Sequence, residues 1–165
     1  MKQIIFVITI LAALSGVSPV LASGGPVFIG PIHSEGQETL ADCGAFQVVD
    51  VFEADLRITR FFNENGIRER DIRHFSGTDT FTNSVTGKSF TRSFHNNVFI
   101  DFDESGNRIQ NVNTGVGFRL TVPGVGAVFL DIGRVIYDVD FNVIWEAGPH
   151  HFLDGEFDGL CTVLA

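Results

Sequence analysis

Aspartates two apart, followed by a glycine, are the spacing at which a loop gathers oxygen ligands around a hard cation. Asp101-Phe102-Asp103-Glu104-Ser105-Gly106-Asn107 has that form, with oxygen donors at the first, third and fifth positions and glycine at the sixth. The twelfth position, where such a loop needs a bidentate glutamate, is Val112, and the flanks alternate as strands do. The expected structure is therefore an Asx-type hairpin turn in which Gly106 supplies the positive φ. Asp138-Val139-Asp140-Phe141-Asn142 repeats the oxygen spacing without glycine and is also read as a turn.

His150, His151 and Asp154 offer three metal-ligand side chains in five residues. Zinc requires three or four ligands converging on one point, and neighbouring residues of an extended chain point in opposite directions. A further ligand would have to arrive from another strand, with His74 and His95 as the candidates, so polar loop histidines are the favoured reading. Gly115-Val116-Gly117 and Gly124-Val125-Gly126 do not continue into a glycine-capped helix N-terminus, which a dinucleotide loop needs. Neither G-x-S-x-G nor H-E-x-x-H occurs. Glu146 beside Trp145 is one of many carboxylates in an acidic chain and is given no catalytic role. No catalytic, cofactor-binding or metal-binding residue is expected.

Cys43 and Cys161 are the two cysteines of the chain. In an oxidising compartment two lone cysteines of a small domain are expected to form a disulfide. A catalytic thiol would need an activating neighbour, and none is local to either residue.

The elements that carry these residues read as strands. Phe46, Val48, Phe52, Ala54, Leu56 and Ile58 share one parity, interrupted by Asp50, while Glu53, Asp55, Arg57 and Thr59 occupy the other. Arg68 to Asp71 fits either a helix turn, through a Glu69–Arg73 pair, or a polar strand, and the strand is preferred. Further runs lie at residues 78–83, 89–95, 98–103, 108–122, 125–132, 133–138, 143–146 and 157–164. Turn signals separate them at Asn63-Glu64-Asn65-Gly66, Thr86-Gly87-Lys88, Ser105-Gly106-Asn107, Pro123-Gly124 and Asp140-Phe141-Asn142. Successive hairpins of this number predict an all-β, antiparallel up-and-down β-barrel of about eight strands, with a β-sandwich as the alternative. A bond from Cys43 at the start of the first strand to Cys161 in the last would close such a barrel.

Composition limits the partners. The 165 residues are 44% hydrophobic, with 17 Phe and a net charge of −9, so the chain can bury a core and is not disordered. Eleven basic residues against 20 acidic ones exclude nucleic acid, and the arginine cluster Arg68, Arg70 and Arg73 is interleaved with Glu69 and Asp71. Met1 and Lys2, the apolar run Ile4 to Leu14 and the Val20-Leu21-Ala22 site predict a signal peptide over residues 1–22, cleaved before Ser23. Residues 23–42, rich in Gly and Pro, read as an N-terminal arm, and residues 43–165 as a single β-barrel domain. A secreted or periplasmic location follows, without membrane attachment after cleavage.

Asn83 with Thr86-Gly87-Lys88, Val122-Pro123-Gly124, Gly133-Arg134, Ala147-Gly148-Pro149-His150, Leu160-Cys161 and Leu164-Ala165 resemble a group of small secreted bacterial proteins of unknown function, over most of Cys43 to Ala165. A looser likeness is to lipocalin-like and allene-oxide-cyclase-like barrels. That likeness implies a β-barrel and transfers no activity.

The function expected is a secreted binding module, for a small apolar ligand inside the barrel or an extracellular protein outside it. An interior site would draw on Phe90, Phe94, Phe102 and Phe118, with Trp145, His150 and His151 at its mouth. The alternatives are a barrel enzyme of isomerase, cyclase or hydrolase type using His95, His150 or a carboxylate, and an extracellular structural or inhibitory module acting through its loops.

Overall fold

A computed structural model describes residues 25–122 and 126–165; the segment read as a signal peptide lies outside them. Strands β1 (Val27–Asp42), β2 (Gln47–Phe62), β3 (Arg68–Asn83), β4 (Ser89–Phe102), β5 (Arg108–Val122), β6 (Gly126–Tyr137) and β7 (Val143–Ala147) pair antiparallel in sequence order. Two short helices follow, α1 (His151–Asp154) and α2 (Asp158–Leu164).

The all-β, up-and-down reading holds, and Arg68–Asp71 is strand as preferred. Closure into a barrel does not occur. The sheet order runs from β1 to β7 and those two are edges, not neighbours. They are poorly matched for closure, since β1 has 16 residues and β7 has 5, each exposed. The expected strand count falls because runs split by turn-like residues are single long strands. Residues 125–132 and 133–138 belong mainly to β6, which passes through Gly133 at φ +141°. Of the stretch read as an arm, residues 27–42 form β1, paired along its length with β2.

The last run is a helix. Phe157, Leu160, Cys161 and Leu164 stand at i, i+3, i+4 and i+7, a helical period that outweighs the β-branched Thr162 and Val163. Leu160 and Leu164 are buried beside Val48, Phe81, Phe118 and Phe129, and α2 thereby plugs one end of the curved sheet. Gly159 lets it sit that close: a Cβ there would stand 1.9 Å from the Val128 carbonyl oxygen. The Cys43–Cys161 disulfide forms, with a Cα separation of 5.6 Å. It ties the residue after β1 to α2 and does not join first and last strands. Asn83 Nδ2 donates to the Leu164 carbonyl at 3.0 Å, a second tie to the same helix.

At the opposite end, the β2–β3, β4–β5 and β6–β7 turns share one plan. Asn63, Asp103 or Asp138 leads, and its Oδ1 accepts backbone N–H groups two and four residues on, at 2.8 to 3.0 Å. The fourth residue is left-handed: Gly66 at φ +74°, Gly106 at +81° and Phe141 at +65°. These bonds favour the ionised form, so Asp103 and Asp138 both titrate below the usual carboxylate range. Both oxygen-rich motifs of the sequence are accordingly turns.

Candidate functional site

Alternation along β2–β5 puts two different populations on the two faces of the sheet. Val48, Asp50, Ala54 and Ile58 on β2 pair with Asn83, Phe81, Gly77 and Arg73 on β3, and the pattern continues through Arg92, Asn96 and Ile100 on β4 to Asn111 on β5. This is the inner face. Near α2 it is a cluster of phenylalanines: Phe118 lies 5.0 Å from Phe81 and 4.6 Å from Phe129, ring centre to centre.

Polar groups begin one layer further in. Arg92 stacks 4.0 Å over Phe118 and donates to Asp79 and to the Gly117 carbonyl. Asp50, 6% exposed, lies beside this pair without a hydrogen bond to its Oδ1. Burial pushes its carboxyl up to about 7, helped by Asp79 and Glu38 and opposed by Arg92. Asp50, which broke the apolar parity in the sequence, is therefore a buried inner-face acid.

At the turn end the inner face is basic. Asp71 is fully buried, and both of its oxygens are already taken: Arg60 donates at 3.0 and 3.2 Å, and Arg68 donates from Nε at 2.9 Å and from Nη2. Arg73 stops 3.9 Å short of the same carboxylate, and its buried Nε has no partner. Burial lowers the Arg73 pKa, as do Arg68, Arg60 and Arg108, while Asp71 acts the other way.

Two adjoining hollows occupy this face and share Asn113 and Tyr137. The larger, about 790 Å³, is walled by Phe75, Val98, Ile100, Phe102 and Phe141, with Arg68, Arg73, Arg108 and Asn111 among them. The smaller, about 230 Å³, reaches His150, Asp131 and Asn96. Arg68 lies 3.9 Å over the Phe102 ring and Arg108 4.2 Å over Phe141. The Tyr137 phenol is raised above its ordinary pKa by burial, with Asp131 and Glu146 adding to the effect, so it faces both hollows as a neutral hydroxyl.

Among the described residues, five buried side-chain polar atoms have no hydrogen-bond partner: Asp50 Oδ1, Arg73 Nε, Arg92 Nε, Asn96 Oδ1 and Asn111 Oδ1. All five belong to inner-face positions of β2–β5. Each unpartnered buried group costs about 1–3 kcal/mol, so such a concentration on one face needs a cause.

The residues singled out in the sequence are dispersed. Phe102 lines the larger hollow and His150 the smaller. Phe118 is fully buried in the aromatic cluster, with Phe90 packed against it, and Phe94 stands 5.6 Å from the Arg92 guanidinium. Trp145 is exposed on β7, 5.9 Å from the Arg134 guanidinium. His151 Nδ1 accepts from the Leu130 N–H at 3.2 Å and its ring stands edge-on to Phe129.

His150, 4% exposed, has Nδ1 2.8 Å from Asp131 and Nε2 3.2 Å from the Ala147 carbonyl. Both ring nitrogens face acceptors within the protein, which leaves neither aimed at a substrate. His74 and His95 alternate with Arg73, Phe75 and Phe94 and are exposed on the outer face, so neither reaches His150. No group of three or more metal-ligating side chains occurs among the described residues. Asp101 is bonded to Arg70 at 2.7 Å and Gln110 at 3.0 Å.

Arg73, Arg108, Asn111, Tyr137 and Phe141 were not anticipated as site residues. The parity of Arg73 and Asn111 gives no signal, because their same-parity neighbours include Asp71 and Gly77 in one case and Asn113 and Gly115 in the other. Arg68 gives none either: a register shift between Phe61 and Phe62 turns it inward. No protein-family model, curated protein or solved structure matches the chain.

Proposed function

We propose that the protein is a binding module that holds a small molecule against the inner face of its sheet, in the hollow between Arg73 and Phe141. The supporting observation is that the partnerless buried polar atoms all belong to that face, two of them, Arg73 Nε and Asn111 Oδ1, on residues lining the hollow itself. A close-packed core would pair or exclude such groups, whereas a binding face keeps donors and acceptors free. The volume of about 790 Å³ lies in the range of small-molecule sites. Catalysis has weaker support, because both ring nitrogens of His150 face acceptors within the protein.

Secretion fits this reading. The disulfide needs an oxidising compartment, and no helix among the described residues is long and apolar enough to cross a membrane. N-terminal sequencing of secreted protein should begin at Ser23.

Native mass spectrometry of protein recovered from the cells that make it tests the binding reading. A small-molecule adduct that is released on unfolding, and is lost when Val98→Trp fills the hollow, is the expected result. Bare protein whose melting temperature no small molecule raises would favour a module acting through its outer surface.

A further inference from the structure

Three features of the larger hollow together specify what kind of molecule it takes. The first is uncompensated positive charge. Arg60, Arg68 and Arg73 surround one carboxylate, Asp71, whose oxygens are already saturated by the first two, and Arg108 stands on the same hollow. On a chain of net charge −9 this local excess is opposite in sign to the molecule.

The second feature is directed and unmet hydrogen bonding. Arg73 Nε is buried without an acceptor, and Asn111, 5% exposed, has an unpartnered Oδ1 on the same wall. A guanidinium with a free edge matches a carboxylate or phosphate, which accepts from two N–H groups in parallel. Asn111 Oδ1 asks for a hydroxyl or amide N–H on the same ligand.

The third feature is apolar wall. Phe75, Val98, Ile100 and Phe102 face the space beyond the arginines, and the Phe141 ring borders it. Phe141 is the described non-glycine residue with positive φ, in a turn position filled by glycine in both sister turns. Strain kept where glycine would relieve it points to a use for the ring.

We infer that the hollow binds an anionic amphiphile, its carboxylate or phosphate head group on Arg73 with Arg68 and Arg108 beside it, and its apolar body along Phe75, Val98 and Phe102. This rests on the binding reading above and names the ligand class for the same site.

Isothermal titration of the full-length mature protein with decanoate, decyl phosphate, decanol and decyltrimethylammonium, with inorganic phosphate as a head group alone, tests it. The two anions should bind at least about tenfold more tightly than decanol. The cation should not bind, and inorganic phosphate should bind more weakly than decyl phosphate. The stronger of the two anions identifies the head group. Arg73→Gln and Arg108→Gln should each weaken the anion at least about tenfold and leave decanol unchanged. Arg70→Gln, on the outer face and paired with Asp101, should leave all affinities as they are. Circular dichroism of each variant separates lost binding from lost folding, and a variant that fails to fold leaves the comparison of the five probes on the unaltered protein to decide. Equal affinity for decanoate and decanol would overturn the anionic inference while the binding reading stands. Failure of all five probes would overturn both.

Discussion

The Arg108 guanidinium lies 4.2 Å from the centre of the Phe141 ring, and Phe141 holds that place at a φ of +65°. In the two sister turns the same position is Gly66 or Gly106, where a left-handed backbone costs nothing in side-chain sterics. Phe141→Gly should therefore stabilise the fold by about 1 kcal/mol, raising the melting temperature by roughly 3 °C. It should also weaken anion binding, because the ring that borders the hollow is gone. An unchanged or lower melting temperature would show that the ring's contact with Arg108 outweighs the backbone strain.

Asp71 holds two arginines directly and keeps a third within 3.9 Å. Asp71→Asn preserves shape but leaves the guanidiniums facing one another without their carboxylate. A loss of about 2–3 kcal/mol is expected, read as a fall in the denaturation midpoint. Added phosphate should recover part of the loss by taking the place of the missing charge, an effect that sodium chloride at equal ionic strength should not reproduce.

Asp50 gives the inner face a pH dependence with a definite sign. Its carboxyl titrates near 7 in the folded protein against a reference value of 3.8, so the native state holds the proton more tightly than the unfolded chain. The stability this group contributes is complete below about pH 4 and is lost as the pH rises through about 7. Asp50→Asn should remove that slope, and the variant should melt higher than the parent at pH 8. Parallel melting curves of the two proteins from pH 5 to pH 8 would contradict the assignment.

The disulfide spans 118 positions, so in a chain-entropy account it contributes about 4 to 5 kcal/mol. Replacing both Cys43 and Cys161 with serine should lower the melting temperature by roughly 12 to 15 °C. The first structure to loosen should be α2, since Cys161 is its covalent anchor, and amide exchange at Leu160 to Leu164 should rise before exchange in β3 and β4. Non-reducing peptide mapping of the parent should recover the linked pair.

Strand content and the main turns could be read from the chain because each rests on local chemistry, and the disulfide because two cysteines leave one pairing. Alternation marks β2, Asx residues followed by glycine mark the turns, and two lone cysteines pair. Barrel closure could not be read, because it depends on how two edges of very different length meet. The α2 helix was disguised by its β-branched residues, although Phe157, Leu160, Cys161 and Leu164 carry the helical period. The site was half visible. Phe102 was expected to line a binding site and does, but the hollow is assembled from residues on β3, β4, β5, β6 and the β6–β7 turn, whose proximity exists only in the folded sheet.

The most direct measurement is an NMR titration of the arginine Nε–H groups with decanoate. Arg73 Nε is buried without a partner in the free protein, and it should acquire one when the ligand binds. Its resonance should shift and saturate together with those of Arg68 and Arg108, while Arg119, exposed on β5, stays in place. Saturating shifts at Arg119 with none at Arg73 would place the anion elsewhere and contradict the inner-face site.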